Sequence, residues 1–257
     1  MSVKNINQNN LIEMINSIKK FLKSTSWGRV LYQPLNNVYR LYSVPKRRRK
    51  LKKCGYEVLK KVFEISREEK LGIFPIAGTL LGFIREGGFI PWDDDMDFGC
   101  INDDTETPYK VADILINKYG FEFVRGFAYQ GCVVVYCLSY MGMPMDFYFM
   151  TRHNDCLIAV SAFRRKDKGY SHFKQNSVYT TKVPLVDELK TYYVHGIEIE
   201  VPVNSEEFLA ASYGENWRTP MKVISSVDNG QSSNRELQQG FAYILSYTEF
   251  LNKDFGG

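Results

Sequence analysis

Four carboxylates crowd into five positions of this chain, at Asp93, Asp94, Asp95 and Asp97. Apolar side chains surround them: Phe89-Ile90-Pro91-Trp92 lie just upstream, and Met96 and Phe98 interleave with the cluster. Like charges this close repel, and an isolated buried carboxylate is costly unless it is paired or metal-bound. The cluster therefore calls for a cation or another basic partner. An acidic turn facing solvent is the plain alternative, and the apolar flanks argue against it. An EF-hand loop does not fit, because the ligand spacing and the terminal Glu are absent. A small-residue turn, Gly78-Thr79, stands just upstream. The combination points to a metal-dependent site that handles phosphate.

The 257 residues suit one large domain, or one domain with appendages. An apolar share of 44% and a charged share of 24% are ordinary for a globular chain with a sizeable core. The formal charge of +4 is local in origin. Lys46, Arg47, Arg48, Arg49, Lys50, Lys52 and Lys53 supply seven positive charges, and the remainder is net −3. Five irregularly spaced Cys fit a reduced, cytoplasmic setting better than a disulfide framework. The N-terminus has no apolar signal-peptide core. Gly126 to Met145 carries no charge, but its Gln, Ser, Gly and Pro residues and Val133-Val134-Val135 favour strand over a membrane helix.

Leu11, Met14, Ile15, Ile18, Phe21 and Leu22 recur at helical spacing. Residues 24–45 read as an irregular connection, and a helix follows near 47–68. Ile73 to Ala77 reads as a short strand, Thr79 to Glu86 as a short helix stopped by Gly87-Gly88, and Met96 to Ile101 as a second strand. A helix is expected over 106–119. Strands are expected near 121–125, 131–140, 144–150 and 197–201, a capped helix at Ser205–Gly214, and a further helix over 235–250. The order predicts a mixed α/β (α+β) domain: a small mixed sheet flanked by helices, with an N-terminal helical extension. The expected divisions are 1–54 for the helical and basic extension, 55–220 for the mixed α/β domain and 221–257 for a C-terminal tail and helix.

Along a strand, residues i and i+2 share a face. Asp95 and Asp97 would then project together, with Cα atoms roughly 6.5–7 Å apart. Hard oxygen ligands suit Mg²⁺ or Mn²⁺. Asp93 has the same parity if the strand extends that far back, and Asp94 would face away. Asp146, in the otherwise apolar Pro144-Met-Asp-Phe-Tyr-Phe-Met150, is the best third ligand. Gly78 and Thr79 open a helix directly after a strand, where free amides and the helix dipole favour an anion. Arg85, two turns on, suits a phosphate, the acidic cluster or an ordinary salt bridge equally.

At these residues the chain resembles the LicD/fukutin-like family of the nucleotidyltransferase-fold superfamily. The matching text is Gly78-Thr-Leu-Leu-Gly82, Arg85 and Gly88-Phe-Ile-Pro-Trp-Asp-Asp-Asp-Met-Asp97, then Met145-Asp-Phe-Tyr-Phe. A third match runs through Gly196-Ile-Glu-Ile-Glu-Val-Pro202, Phe208-Leu and Tyr213-Gly214 to Trp217 and Pro220. The resemblance implies a phosphotransferase that moves a phospho-alcohol, such as phosphocholine or a polyol phosphate, from a CDP-linked donor. The acceptor would be a hydroxyl of a cell-surface or lipid-linked glycan. By carry-over Asp95, Asp97 and Asp146 would hold Mg²⁺, and Asp93 would position groups or accept a proton. Gly78, Thr79 and Arg85 would border the donor.

A choline-like donor would need an aromatic cage, for which Trp92, Tyr129, Tyr136, Tyr148 and Trp217 are candidates. The basic run 46–53 reads as a solvated helix face, or as contact with an anionic inner membrane surface. No reader motif accompanies it, so no nucleic-acid partner is expected. Arg164, Arg165, Lys166, Lys168, His172 and Lys174 form a second basic segment. A nucleotidyltransferase acting on a small molecule, and a non-catalytic glycan-binding relict, are the competing readings.

Overall fold

Leu51, Val58, Leu59, Val62 and Phe63 are all buried, as their helical spacing predicts. They belong to helix α1, Gly28–Glu69. In the computed structural model the described residues are 28–163, 174–220 and 234–255. The expected helix over 11–22, the second basic segment except for Lys174, and residues 221–233 of the expected C-terminal tail lie outside them. Residues 28–45, expected to be irregular, are helical. Their Pro and Asn residues read as breakers, yet Leu31, Leu35, Val38 and Tyr42 keep three- and four-residue spacing. Contacts divide the chain after Arg49, and residues 50–257 form a compact unit of their own.

After α1 come β1 (Phe74–Pro75), α2 (Ala77–Glu86), β2 (Met96–Ile101) and α3 (Thr107–Asp113), which runs into a π turn at Ile114–Lys118. Then follow β3 (Glu122–Tyr129), β4 (Cys132–Tyr140), β5 (Met143–His153), β6 (Cys156–Phe163) and β7 (Gln175–Pro184). The hairpin β8 (Leu189–Val194) and β9 (Ile197–Pro202) leads to α4 (Ser205–Tyr213), β10 (Arg235–Leu245) and α5 (Tyr247–Leu251). Residues 235–250, expected as a helix, are mostly strand β10; Gly240, at φ +84°, sits in mid-strand, where an α-helix would not accept it.

The mixed α/β class holds, with helices flanking a mixed sheet. That sheet is larger than expected, with eight strands in the order β1-β2-β5-β4-β3-β10-β7-β6. A further pairing of β5 with β6 closes six of these strands into a ring. Among the described residues only the β2–β5 pair is parallel; the other pairings of this sheet are antiparallel. Val135, Val160, Val178 and Ala242, from four strands of the ring, form a small apolar cluster of their own.

Phe98 on β2 and Phe147 on β5 lie opposite each other, stacked at 5.3 Å between centroids. Phe63 of α1 meets Phe98 edge-on at 6.0 Å. Fully burying each such ring is worth about 1.5–3 kcal/mol, which fixes the register. A one-residue slip would send these rings to the opposite face. Asp97 and Asp146, one residue earlier on each strand, therefore face away from the α1 core.

Gly99 lies under three side chains. A Cβ there would sit 2.4 Å from Met150 Cε, 2.8 Å from Phe74 Cε2 and 2.9 Å from Ile76 Cγ2. Gly99→Val is expected to cost about 1–3 kcal/mol, lowering Tm by roughly 2–12 °C. Thermal denaturation followed by circular dichroism checks this, and an unchanged Tm would mean the site has room that the packing denies.

Candidate active site

Asp97 and Asp146 come together because β2 and β5 pair in register, residue for residue. Cross-strand partners share a face, and neighbouring strands lie about 4.8 Å apart. The same row continues across the sheet, since Asp146 is opposite Cys137 on β4 and Cys137 is opposite Arg125 on β3. One line across four strands thus reads Arg125, Cys137, Asp146, Asp97.

Arg125 Nη2 stands 3.7 Å from Asp146 Oδ1. Partial desolvation works against the charge of the still 44% exposed Arg125, and Asp146, with smaller contributions from Cys137, Tyr148 and Asp95, more than offsets it. Burial and the Asp146 carboxylate push the Cys137 thiol well up, and the thiol donates to the Leu138 carbonyl at 3.7 Å. Nothing local in the sequence marks Arg125; only the register of three strand pairs brings it to the site.

Asp97 stands in a field of its own kind. Burial raises its carboxyl well above the usual carboxylate range, and Asp95, Asp146, Asp93 and Asp94 raise it further. The strand begins only at Met96, so alternation does not govern the three preceding residues. Asp93, Asp94 and Asp95 instead each bring a carboxylate oxygen within 4.8 Å of the others. Asp94, expected to face away, joins the group for that reason. The expected ligands are thus arranged as an in-register pair, Asp97 and Asp146, beside a three-carboxylate turn that includes Asp95. Hard anionic oxygens from two directions suit Mg²⁺ or Mn²⁺, so the residues present fit such an ion.

The β1–α2 junction is built against this turn. Ala77 adopts φ +46°, a left-handed value uncommon for a residue with a Cβ. Gly78 follows, and a Cβ there would lie 2.6 Å from Asp93 Oδ2. Only glycine lets the Asp93 carboxylate pack so closely on the helix start. Asp93 Oδ1 accepts the Asp94 amide at 3.1 Å. Thr79 is buried, and its Oγ1 accepts the Asp97 amide at 2.9 Å, tying α2 to the start of β2. Arg85 donates to the Trp217 carbonyl at 3.1 Å and pairs with Glu86 at 2.7 Å. Of its three readings, the ordinary salt bridge is the one these contacts display.

Two tyrosines border the carboxylates. Burial and the charges of Asp97, Asp146 and Asp95 push Tyr148 well up. Tyr213, the last residue of α4, is pushed up by burial and by Asp97 and Asp93, while Arg235 and Arg85 pull the other way. Of the five cage candidates, Tyr136 is fully buried in the core and Trp217 nearly so, under the Arg218 guanidinium at 4.3 Å. Tyr129 donates to the Gln239 carbonyl, and Trp92 is 48% exposed. Tyr148 is the candidate that feels the acidic site. Tyr213 carried no mark beyond its place in the third matching segment.

No curated protein matches the chain. The family model of the LicD/FKTN/FKRP nucleotidyltransferase domain matches residues 71–204, which span β1 through β9 and include every carboxylate of the site. The chain therefore belongs to the LicD/FKTN/FKRP family, whose nucleotidyltransferase-type domain points to a transferase that modifies glycans.

Proposed function

We propose that this protein transfers a phospho-alcohol from a CDP-linked donor to a hydroxyl of a glycan. The observation that carries the reading is the in-register Asp97–Asp146 pair beside the acidic turn and the α2 N-terminus. Asp95, Asp97 and Asp146 would hold Mg²⁺, with Asp93 and Asp94 alongside. The bound ion would supply positive charge to a diphosphate whose phosphoanhydride bond is breaking.

The protein's own groups do the rest. The amides at the start of α2 and the Arg125 guanidinium favour anionic oxygens of the donor. Asp93, held against Gly78, accepts the proton of the incoming hydroxyl as its oxygen bonds to phosphorus. The bond to the departing phosphate oxygen breaks, and cytidine monophosphate leaves with the electron pair. Tyr148 and Tyr213, kept un-ionised by burial and the neighbouring carboxylates, would border the bound donor.

The exposed Lys52 and Lys53 of the basic run would meet anionic lipid if the glycan acceptor is lipid-linked. No helix among the described residues is long and apolar enough to cross a membrane.

The test is incubation with Mg²⁺, CDP-choline, CDP-ribitol or CDP-glycerol, and a glycan acceptor, followed by mass spectrometry. Cytidine monophosphate and a mass-shifted glycan are expected. Pyrophosphate released from CTP would favour nucleotidyl transfer to a small molecule instead. Glycan binding with no turnover of any nucleotide would favour a non-catalytic role.

A further inference from the structure

Beside the acidic turn the unit 50–257 holds a small cleft of about 160 Å³. Its walls are the rings of Tyr56 and Phe89, 4.8 Å apart between centroids and tilted by 42°, with Leu51 and Ile90. Two charged groups line it, Asp93 and the exposed Lys52. The Tyr56 hydroxyl accepts the Phe89 amide at 3.4 Å, and the Tyr56 ring rests against His195 at 4.6 Å. The aromatic wall is thus braced from two sides.

Resting on the transferase reading above, we infer that this cleft receives a single pyranose ring of the acceptor glycan. Pockets for drug-sized ligands measure about 300–1,000 Å³, so this smaller cleft suits one ring better than a nucleoside diphosphate. A pyranose presents an apolar C–H face to aromatic side chains and hydroxyls around its rim. Phe89, Tyr56, Leu51 and Ile90 match the face, and Asp93 meets a rim hydroxyl.

The cleft's lining lacks the several cations a diphosphate would need. Lys52 opposes a quaternary ammonium, which argues against a choline site despite the two rings. Asp93 is the link: one side lines the cleft, and the other packs on Gly78 and adds to the field at Asp97. A hydroxyl carried by a ring in the cleft would therefore arrive at the proposed proton acceptor.

The experiment is saturation-transfer NMR on the full chain with Mg²⁺, using a panel of methyl hexosides and methyl N-acetylhexosaminides. At least one glycoside is expected to receive saturation. Lys52→Trp, at an exposed helix position, should cut the signal at least about fivefold by covering the cleft, and Phe89→Leu should weaken it. Added CDP-choline should leave the signal, because donor and acceptor sit at different places. No signal from any glycoside, a signal that Lys52→Trp leaves intact, or displacement by choline chloride would each overturn the assignment. Glycoside binding by a protein that turns over no CDP donor would defeat the transferase reading and leave the cleft's specificity standing. Donor turnover without glycoside binding would do the reverse.

Discussion

Asp97→Asn is expected to abolish transfer while making the metal-free protein more stable. The two effects have one cause. Asp97 is paired in register with Asp146 and sits in the field of four other carboxylates. Its carboxyl is raised by burial first and by those charges next. In the native state it therefore binds its proton more tightly than in the unfolded chain. Native stability then falls as pH rises from the ordinary carboxylate range through the raised folded value.

Asparagine keeps the shape and removes the charge. In chelator, a scan from about pH 4 to about pH 8 should show wild-type Tm dropping relative to the variant. Each 1 kcal/mol of relieved repulsion is worth roughly 2–4 °C in a domain of this size. Mg²⁺ should raise the wild-type Tm by mass action and leave the variant's nearly unmoved. Losing a group this central to charge stabilisation should cost at least about 10²–10³ in rate. A variant that retains full activity, or whose metal-free Tm is lower at neutral pH, would remove Asp97 from the role given to it.

Gly78→Ala is expected to separate activity from stability in another way. Alanine is the better helix former by about 1 kcal/mol, and α2 begins at the preceding residue. The new methyl would meet the end of a carboxylate, 2.6 Å from Asp93 Oδ2, and that side chain can turn away. Tm should therefore change little. Turning Asp93 away displaces the proposed proton acceptor by about 1 Å, a misplacement that can cost roughly 100-fold. The measurement is kcat for transfer beside Tm, in Gly78→Ala, Asp93→Ala and the double variant. If the two substitutions act through one contact, the double variant should be no slower than Asp93→Ala alone. Additive losses would mean Gly78 serves the reaction by some other route.

These residues also show how far a one-dimensional reading reaches. Phe98 and Phe147 alternate with Asp97 and Asp146 in text, so the division between core face and site face was legible before any pairing was known. Asp146 was marked by being a lone charge in an apolar strand. Arg125 was invisible, because its value comes from standing three strand pairings from Asp97. Asp94 was misplaced because alternation was carried three residues beyond the start of the strand. Ring closure was hidden as well, since it depends on β10, whose Arg235–Leu245 text carries polar residues at irregular intervals and read as a helix.

The place of β10 between β3 and β7 has a consequence for how the molecule comes into being. Every other strand precedes it in the chain, so β3 and β7 wait, with unsatisfied edges, until residues 235–245 have left the ribosome. At about 5–20 residues per second, the interval between the end of β7 and the end of β10 lasts seconds. During that time two β edges, templates for pairing with other chains, stand open. A nascent chain stalled or cut before Arg235 would carry all the acidic residues of the site and still be an aggregation-prone fragment. Expression of C-terminally shortened forms should therefore yield insoluble protein, and β10 supplied in trans is the natural rescue.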